Sequence, residues 1–258
     1  MTLHTVFFSG KGTTATCAHR IKNAMGRTNK THDWLKKPPT ATVDIPAEDA
    51  LLLVMPVYGG FIPTICLPWV ERLQGHGTPA IIAAIYGNRH YDNALLQMQD
   101  LLEARGFQVV AAGAFVAEHS IFPQVAKGRP DQDDLNAMTA FGDACAALLA
   151  GNWQAAGRLE LPGDPAYQMP ERKPAGMYPT ADRNCIQCRA CADLCPGRAI
   201  PRANPQETDP IKCVQCGACI RICPMEARSY HSDAWKERAP VFAEKCAEYR
   251  KPEAFFLK

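Results

Sequence analysis

Cys185 to Pro224 carries the residues of this chain best able to do chemistry. The stretch reads C-I-Q-C-R-A-C-A-D-L-C-P and then, from Cys213, C-V-Q-C-G-A-C-I-R-I-C-P. Each half is C-x2-C-x2-C-x3-C-P, a spacing that holds [4Fe–4S] clusters. Three thiolates at this spacing wrap one cubane corner by corner. The fourth lies past a short turn and faces the other cluster. The spacing therefore assigns Cys185, Cys188, Cys191 and Cys223 to one cluster, and Cys213, Cys216, Cys219 and Cys195 to a second. Such crosswise ligation ties the halves together, so metal binding and folding are expected to be one event. The halves repeat each other, Asn184 to Ala199 against Lys212 to Ala227, which implies a pseudo-twofold axis. A zinc ribbon needs two C-x2-C pairs forming one four-ligand site. A disulfide framework needs an oxidising compartment. Neither suits two runs of four.

The elements that must position these groups come from a chain of 258 residues, enough for one medium domain and a small one. A formal charge of +2 argues neither for nucleic acid nor for membrane recruitment. There is no apolar run of transmembrane length. The N-terminus, Met1 to Phe8, has no basic n-region and no small-residue cleavage site, so a cytoplasmic protein is expected. Oxygen-sensitive clusters point to an anaerobic or microaerobic host. Cys17, Cys66, Cys145 and Cys246 are scattered and read as buried thiols.

Residues 1–150 alternate apolar runs with helical patterns, the signature of βαβ units and a parallel sheet. Strands are expected at Leu3 to Phe8, near Thr42 to Ile45, at Leu51 to Met55, Pro79 to Tyr86 and Phe107 to Val116. Helices are expected at Thr13 to Met25, Pro63 to Gln74, Asn93 to Ala104 and Asp131 to Leu149, with a loop over Gly26 to Thr40. Five strands with intervening helices suggest a doubly wound sheet of order 2-1-3-4-5. Residues 151–180 read as a linker rich in Pro and Gly. Residues 181–230 form the small cysteine-rich α+β domain. Residues 231–258 are an aromatic-rich tail expected to pack on the body.

A doubly wound sheet binds its ligand beyond the carboxyl ends of its strands. Three loops fall on that edge. The first is Ser9-Gly10-Lys11-Gly12-Thr13-Thr14, where glycines, hydroxyls, a cation and the N–H groups of a helix start suit a phosphate; a plain N-cap would look similar. It is not a Walker A loop. The second is Pro56-Val57-Tyr58-Gly59-Gly60, and the third Gly87-Asn88-Arg89-His90-Tyr91-Asp92. A phosphate site between two aromatic-bearing glycine loops suits a flat heteroaromatic ring with a phosphate tail.

The N-terminal part resembles a flavodoxin, and the whole chain is similar to the flavodoxin–ferredoxin fusion proteins of anaerobic bacteria (the EFR1-type ferredoxin family). Ser9, Gly12 and Thr14 match the flavodoxin phosphate loop, [ST]-x-T-G-x-T; Lys11 stands where threonine is usual. The resemblance implies a flavodoxin-like five-stranded parallel sheet that binds FMN, followed by a bacterial-type 2[4Fe–4S] ferredoxin. By position it makes Tyr58-Gly59-Gly60 the loop beside flavin N5 and Gly87, Asn88, Tyr91 and Asp92 the other wall. Tyr58 and Tyr91 are the candidates to stack on the ring, ahead of Tyr86, and His119 reaches the flavin rim or is a surface loop histidine.

Flavin and clusters together imply an electron carrier between protein partners, a donor and an acceptor. Arg189, Arg198, Lys212, Arg221 and Arg228 lie near the cysteines in sequence. There they raise a cluster's potential, or serve as solvated surface charge or a face for an acidic partner. Two rivals stay open. One is a flavin-dependent reductase of a small molecule, with His90, Tyr91 or His119 as proton donor. The other is a docking domain that has lost its flavin.

Overall fold

A computed structural model describes residues 1–151, 153–154, 157–169, 171 and 173–257. Its centre is a six-stranded sheet. Five strands run parallel: β1 (Leu3–Phe7), β2 (Asn29–Asp33), β4 (Ala50–Pro56), β6 (Thr78–Tyr86) and β7 (Phe107–Val116). Their order across the sheet is β2-β1-β4-β6-β7, the doubly wound flavodoxin-like order.

The apolar runs explain the central strands. Every residue of β4 and β6 is buried, as both faces of a parallel sheet are covered. Alternation then divides β4: Leu51, Leu53 and Met55 enter one core, while Ala50, Leu52 and Val54 enter the other. Helices α1 (Thr13–Ala24) and α4 (Gln132–Ala150) cover the second face through Cys17, Ile21, Met138, Phe141 and Cys145. Helix α3 (Ala94–Glu103) covers the first through Leu95, Met98 and Leu102. Asp131 begins α4 with a capping box, accepting from the Asp134 amide while Asp134 accepts from its own.

Three expectations need correction. The edge strand β2 lies inside the stretch read as a loop. It is polar (Asn-Lys-Thr-His-Asp) and half exposed, so it shows no apolar pattern, and pairing with β1 alone defines it. The segment expected as the second strand supplies only β3 (Val43–Asp44), which pairs with β5 (Leu73–Gln74) in a separate two-stranded sheet. Pro63 to Gln74 is not one helix: a 3-10 turn at Thr64–Cys66, the short α2 (Leu67–Val70) and β5 share it. Pro68 sits at the start of α2, where proline is tolerated only because the segment begins anew there.

The sheet is also not purely parallel. The tail returns as β10 (Glu253–Phe256), antiparallel beside β7, and covers the edge that β7 would otherwise expose. Before it, α7 (Asp233–Lys245) packs on the loop after β7, with Phe122 against Trp235 and Phe242.

In the cysteine-rich part, β8 (Thr180–Ala181) pairs with β9 (Arg228–Ser229), and the short helices α5 (Ala190–Leu194) and α6 (Ala218–Ile222) repeat each other. Among the described residues no helix is long and apolar enough to cross a membrane.

Candidate functional site

The eight motif cysteines surround two cavities. Cys185, Cys188, Cys191 and Cys223 line the first, with Ile186, Arg189, Pro205 and Arg228. Cys195, Cys213, Cys216 and Cys219 line the second, with Pro179, Val214 and Gly217. Tight loops produce this winding. Gln187 and Gln215 share left-handed backbone at φ 55° and 56°, as do Arg189 and Gly217 at 65° and 70°. The turn thus folds back twice and aims three sulfurs inward before α5 or α6 begins.

Among the described residues no three His, Cys, Asp or Glu side chains converge on a single metal ion. Four sulfurs spread around a cavity fit a cubane instead, and soft thiolates are the donors iron–sulfur clusters take. Burial pushes the Cys216 thiol up to about 12 and that of Cys219 up to about 11. Such thiols become thiolates only with a bound cation, so ligation and deprotonation belong together.

The third feature is a cleft at the carboxyl edge of the sheet. Its cavity measures about 50 Å³, well under the range of about 300–1,000 Å³ of small-molecule sites, so the cleft must open to admit a flavin. Gly10, Lys11, Thr13 and Thr14 line one end, Pro56, Val57 and Tyr58 a wall, and Ile85, Tyr86 and Gly87 the floor. Ala117, Glu118, His119 and Ser120 close the far side. Gly12 precedes α1 with φ 106°, a conformation costly for any residue with a Cβ, and no acidic side chain occupies the helix's first turn. The start of α1 therefore keeps its positive end towards the cleft, with Lys11 beside it. Lys11 Nζ stands 3.9 Å from Glu118. A phosphate at one end and a flat ring beside Tyr58 and Tyr86 suit this lining.

Several expected residues lie elsewhere. Ser9 Oγ accepts from the Ala15 amide and so fixes the turn into α1 from behind. Gly59 and Gly60 do not line the cleft; Gly60 packs on Asp92, which also bonds Arg89. Asn88 donates to the carbonyls of Cys246 and Glu248 and anchors the tail. Tyr91, expected against the ring, is a core residue with 1% exposure. It stacks on His90, meets Tyr86 edge-on, and donates its hydroxyl to Glu253 of β10 at 2.9 Å. Tyr86, the last residue of β6, is also buried but lines the cleft.

His119 does line the cleft, and its ring is fixed. Its Nδ1 accepts from the amides of Ile121 and Phe122, so the proton sits on Nε2. Burial, helped by the charges of Lys11 and Arg89, lowers its pKa from 6.5 to about 4. It is a neutral donor at neutral pH. Phe242 of α7 closes on it edge-on.

The residue that the sequence did not bring to this cleft is Cys216. It lines both the sheet-edge cleft and the second cysteine cavity. The reason is the docking of the cysteine-rich part on the first loop. Arg221 Nε donates to the Gly10 carbonyl at 2.8 Å. Gly217 lies so close to the Lys11 side chain that a Cβ would stand 2.8 Å from its Cγ. Its pseudo-twofold mate, Arg189, keeps a full side chain and is exposed. An unpaired glycine between two repeats was the available signal of this contact.

Residues 184–227 match the family model described as the 4Fe-4S dicluster domain. No curated protein matches the chain. Among solved structures it is similar to a flavodoxin from the domain Archaea, with 14% identity over 58% of this chain and all of that one, TM-score 0.42. A flavodoxin of Streptococcus pneumoniae TIGR4 shares 14% identity over 57% of this chain and 99% of that one, TM-score 0.42. A Fusobacterium nucleatum flavodoxin bound to flavin mononucleotide shares 18% over 42% and 68%, TM-score 0.35. The fold itself is set by the strand order above. A flavodoxin-like sheet joined to a 4Fe–4S domain is the construction of a redox protein that transfers electrons.

Proposed function

We propose that the chain relays electrons between two [4Fe–4S] clusters and an FMN held in the sheet-edge cleft, and through them between a low-potential donor protein and an acceptor protein. The reading places it with the EFR1-type flavodoxin–ferredoxin fusions. The observation that carries it is Cys216, shared by the second cysteine cavity and the cleft. A ligand of one redox centre forming the wall of the other leaves that single residue between them.

FMN in that cleft supplies chemistry in one- or two-electron steps, while each cluster passes one electron. The chain's own residues bind and orient. Lys11, Thr13, Thr14 and the start of α1 hold the phosphate. Tyr58 and Tyr86 confine the ring. His119 offers Nε2–H as a fixed donor. The docked Cys216 excludes water from the cluster side of the cleft, and Phe242 of α7 covers His119.

Iron, sulfide and flavin assays on protein purified without oxygen test the reading. About eight irons follow from two cubanes, with FMN equimolar to the chain. Protein that takes up no flavin from excess FMN would leave a two-cluster ferredoxin with a docking domain.

A further inference from the structure

Continued by one residue, the internal repeat pairs Ile200 with Arg228. Ile200 is an ordinary core residue at 5% exposure. Arg228 is more deeply buried, at 2%, and a guanidinium stays charged in any protein environment. Burying an arginine in place of an isoleucine is unfavourable unless something compensates the charge. No carboxylate does so among the described residues. Nη1 donates to the Pro205 carbonyl and lies 4.0 Å from Cys191 Sγ. Nη2 donates to the Pro179 carbonyl at 2.8 Å and to Thr208 Oγ1. Nε is buried without a hydrogen-bond partner among the described protein atoms. These neighbours are neutral carbonyls, a hydroxyl and the thiols of Cys191 and Cys219. The side chain lines the cavity of Cys185, Cys188, Cys191 and Cys223.

We infer that Arg228 is the buried counter-charge of the outer cluster, with its Nη1 beside the Cys191 sulfur, and that it raises the reduction potential of this cluster above that of the inner one beside Cys216. A cubane with four thiolates is anionic, and each electron it accepts adds negative charge, so a nearby cation favours the reduced form. Arg228 lines the outer cavity and is absent from the lining of the inner one. It also interacts with Cys219 of the inner set, so it raises the inner potential too, by less than that of the cluster whose cavity it lines. The pseudo-symmetric pair is thereby made unequal, and an electron from a one-electron donor protein rests preferentially on the outer cluster. Arg228 acts on the cluster as a positioning and tuning residue. The inference rests on the iron–sulfur half of the reading above and is independent of FMN.

The test is an anaerobic redox titration of the full chain followed by electron paramagnetic resonance, with iron and sulfide counted in each sample. Arg228→Gln is expected to keep its iron and to lower one midpoint potential, moving the other less. Arg228→Lys, which keeps the charge, is expected to shift that potential by less than Gln does. Unchanged potentials in an iron-replete Arg228→Gln would overturn the assignment. Loss of iron from both variants would also overturn it, leaving Arg228 a purely structural residue. Wild-type protein without iron would refute the cluster reading itself, a separate result.

Discussion

Gly10 and Cys216 touch: a Cβ on Gly10 would stand 1.9 Å from the Cys216 carbonyl oxygen. That approach seats the second cysteine cavity on the cleft. Gly10→Ala must push the two parts apart, and overpacking of this kind costs roughly 1–3 kcal/mol. Thermal unfolding should show lower stability, and stopped-flow absorbance slower flavin reduction, at unchanged iron content. A variant with wild-type melting and wild-type rate would contradict the contact.

The grouping of sulfurs makes a second prediction. Cys195 lies in the first motif but lines the cavity of the second, and Cys223 does the reverse. Cys195→Ser should therefore perturb the inner cluster, next to the flavin, and Cys223→Ser the outer one. In resonance spectra of the reduced protein the signal broadened by Cys195→Ser should match that affected by Cys216→Ser. A match to Cys191→Ser instead would mean that each motif holds its own cluster.

His119 gives the chain an acid-sensitive element. Its folded pKa lies near 4 against 6.5 when unfolded, so below neutrality the unfolded chain binds the extra proton first. The stability is present in full above about pH 6.5 and is lost as pH falls towards 4, by at most about 3 kcal/mol at ~1.4 kcal/mol per pH unit. Urea titrations at pH 7 and pH 5 should differ by less in His119→Gln than in wild type. Equal pH dependence in the two proteins would exclude His119 as the cause.

Tyr91 and Tyr58 separate core from cleft. Tyr91→Phe removes the bond to Glu253, a loss of about 1 kcal/mol for one hydrogen bond, and should leave FMN affinity unchanged. Tyr58→Ala should weaken FMN binding at least tenfold, read by fluorescence quenching of titrated flavin. The opposite ranking would return Tyr91 to the ring.

Much of the fold was legible because the buried strands are continuous apolar runs, as at Leu51 to Met55, and because the cysteine spacing is so restrictive. What was not legible shares one cause: contacts distant in sequence. β2 has a polar sequence and exists through its pairing with β1. β10 reads as an aromatic tail until β7 offers it an edge. Tyr91 was placed by its loop and not by Glu253, which lies far along the chain. Arg228 was grouped with four other basic residues near the cysteines, as a potential-raising charge or a solvated one, and only its burial sets it apart from them. In the cleft, the glycine loops marked the right edge of the sheet, but which side chains face inward depends on how the tail and the cysteine-rich part close over them.

The most direct test of the relay is the rate at which photoreduced clusters reduce the flavin in the intact chain, measured over a range of protein concentrations. Transfer across the wall formed by Cys216 is intramolecular, so the rate constant should be independent of concentration. A rate proportional to protein concentration, or a flavin left oxidised while the clusters are reduced, would contradict it.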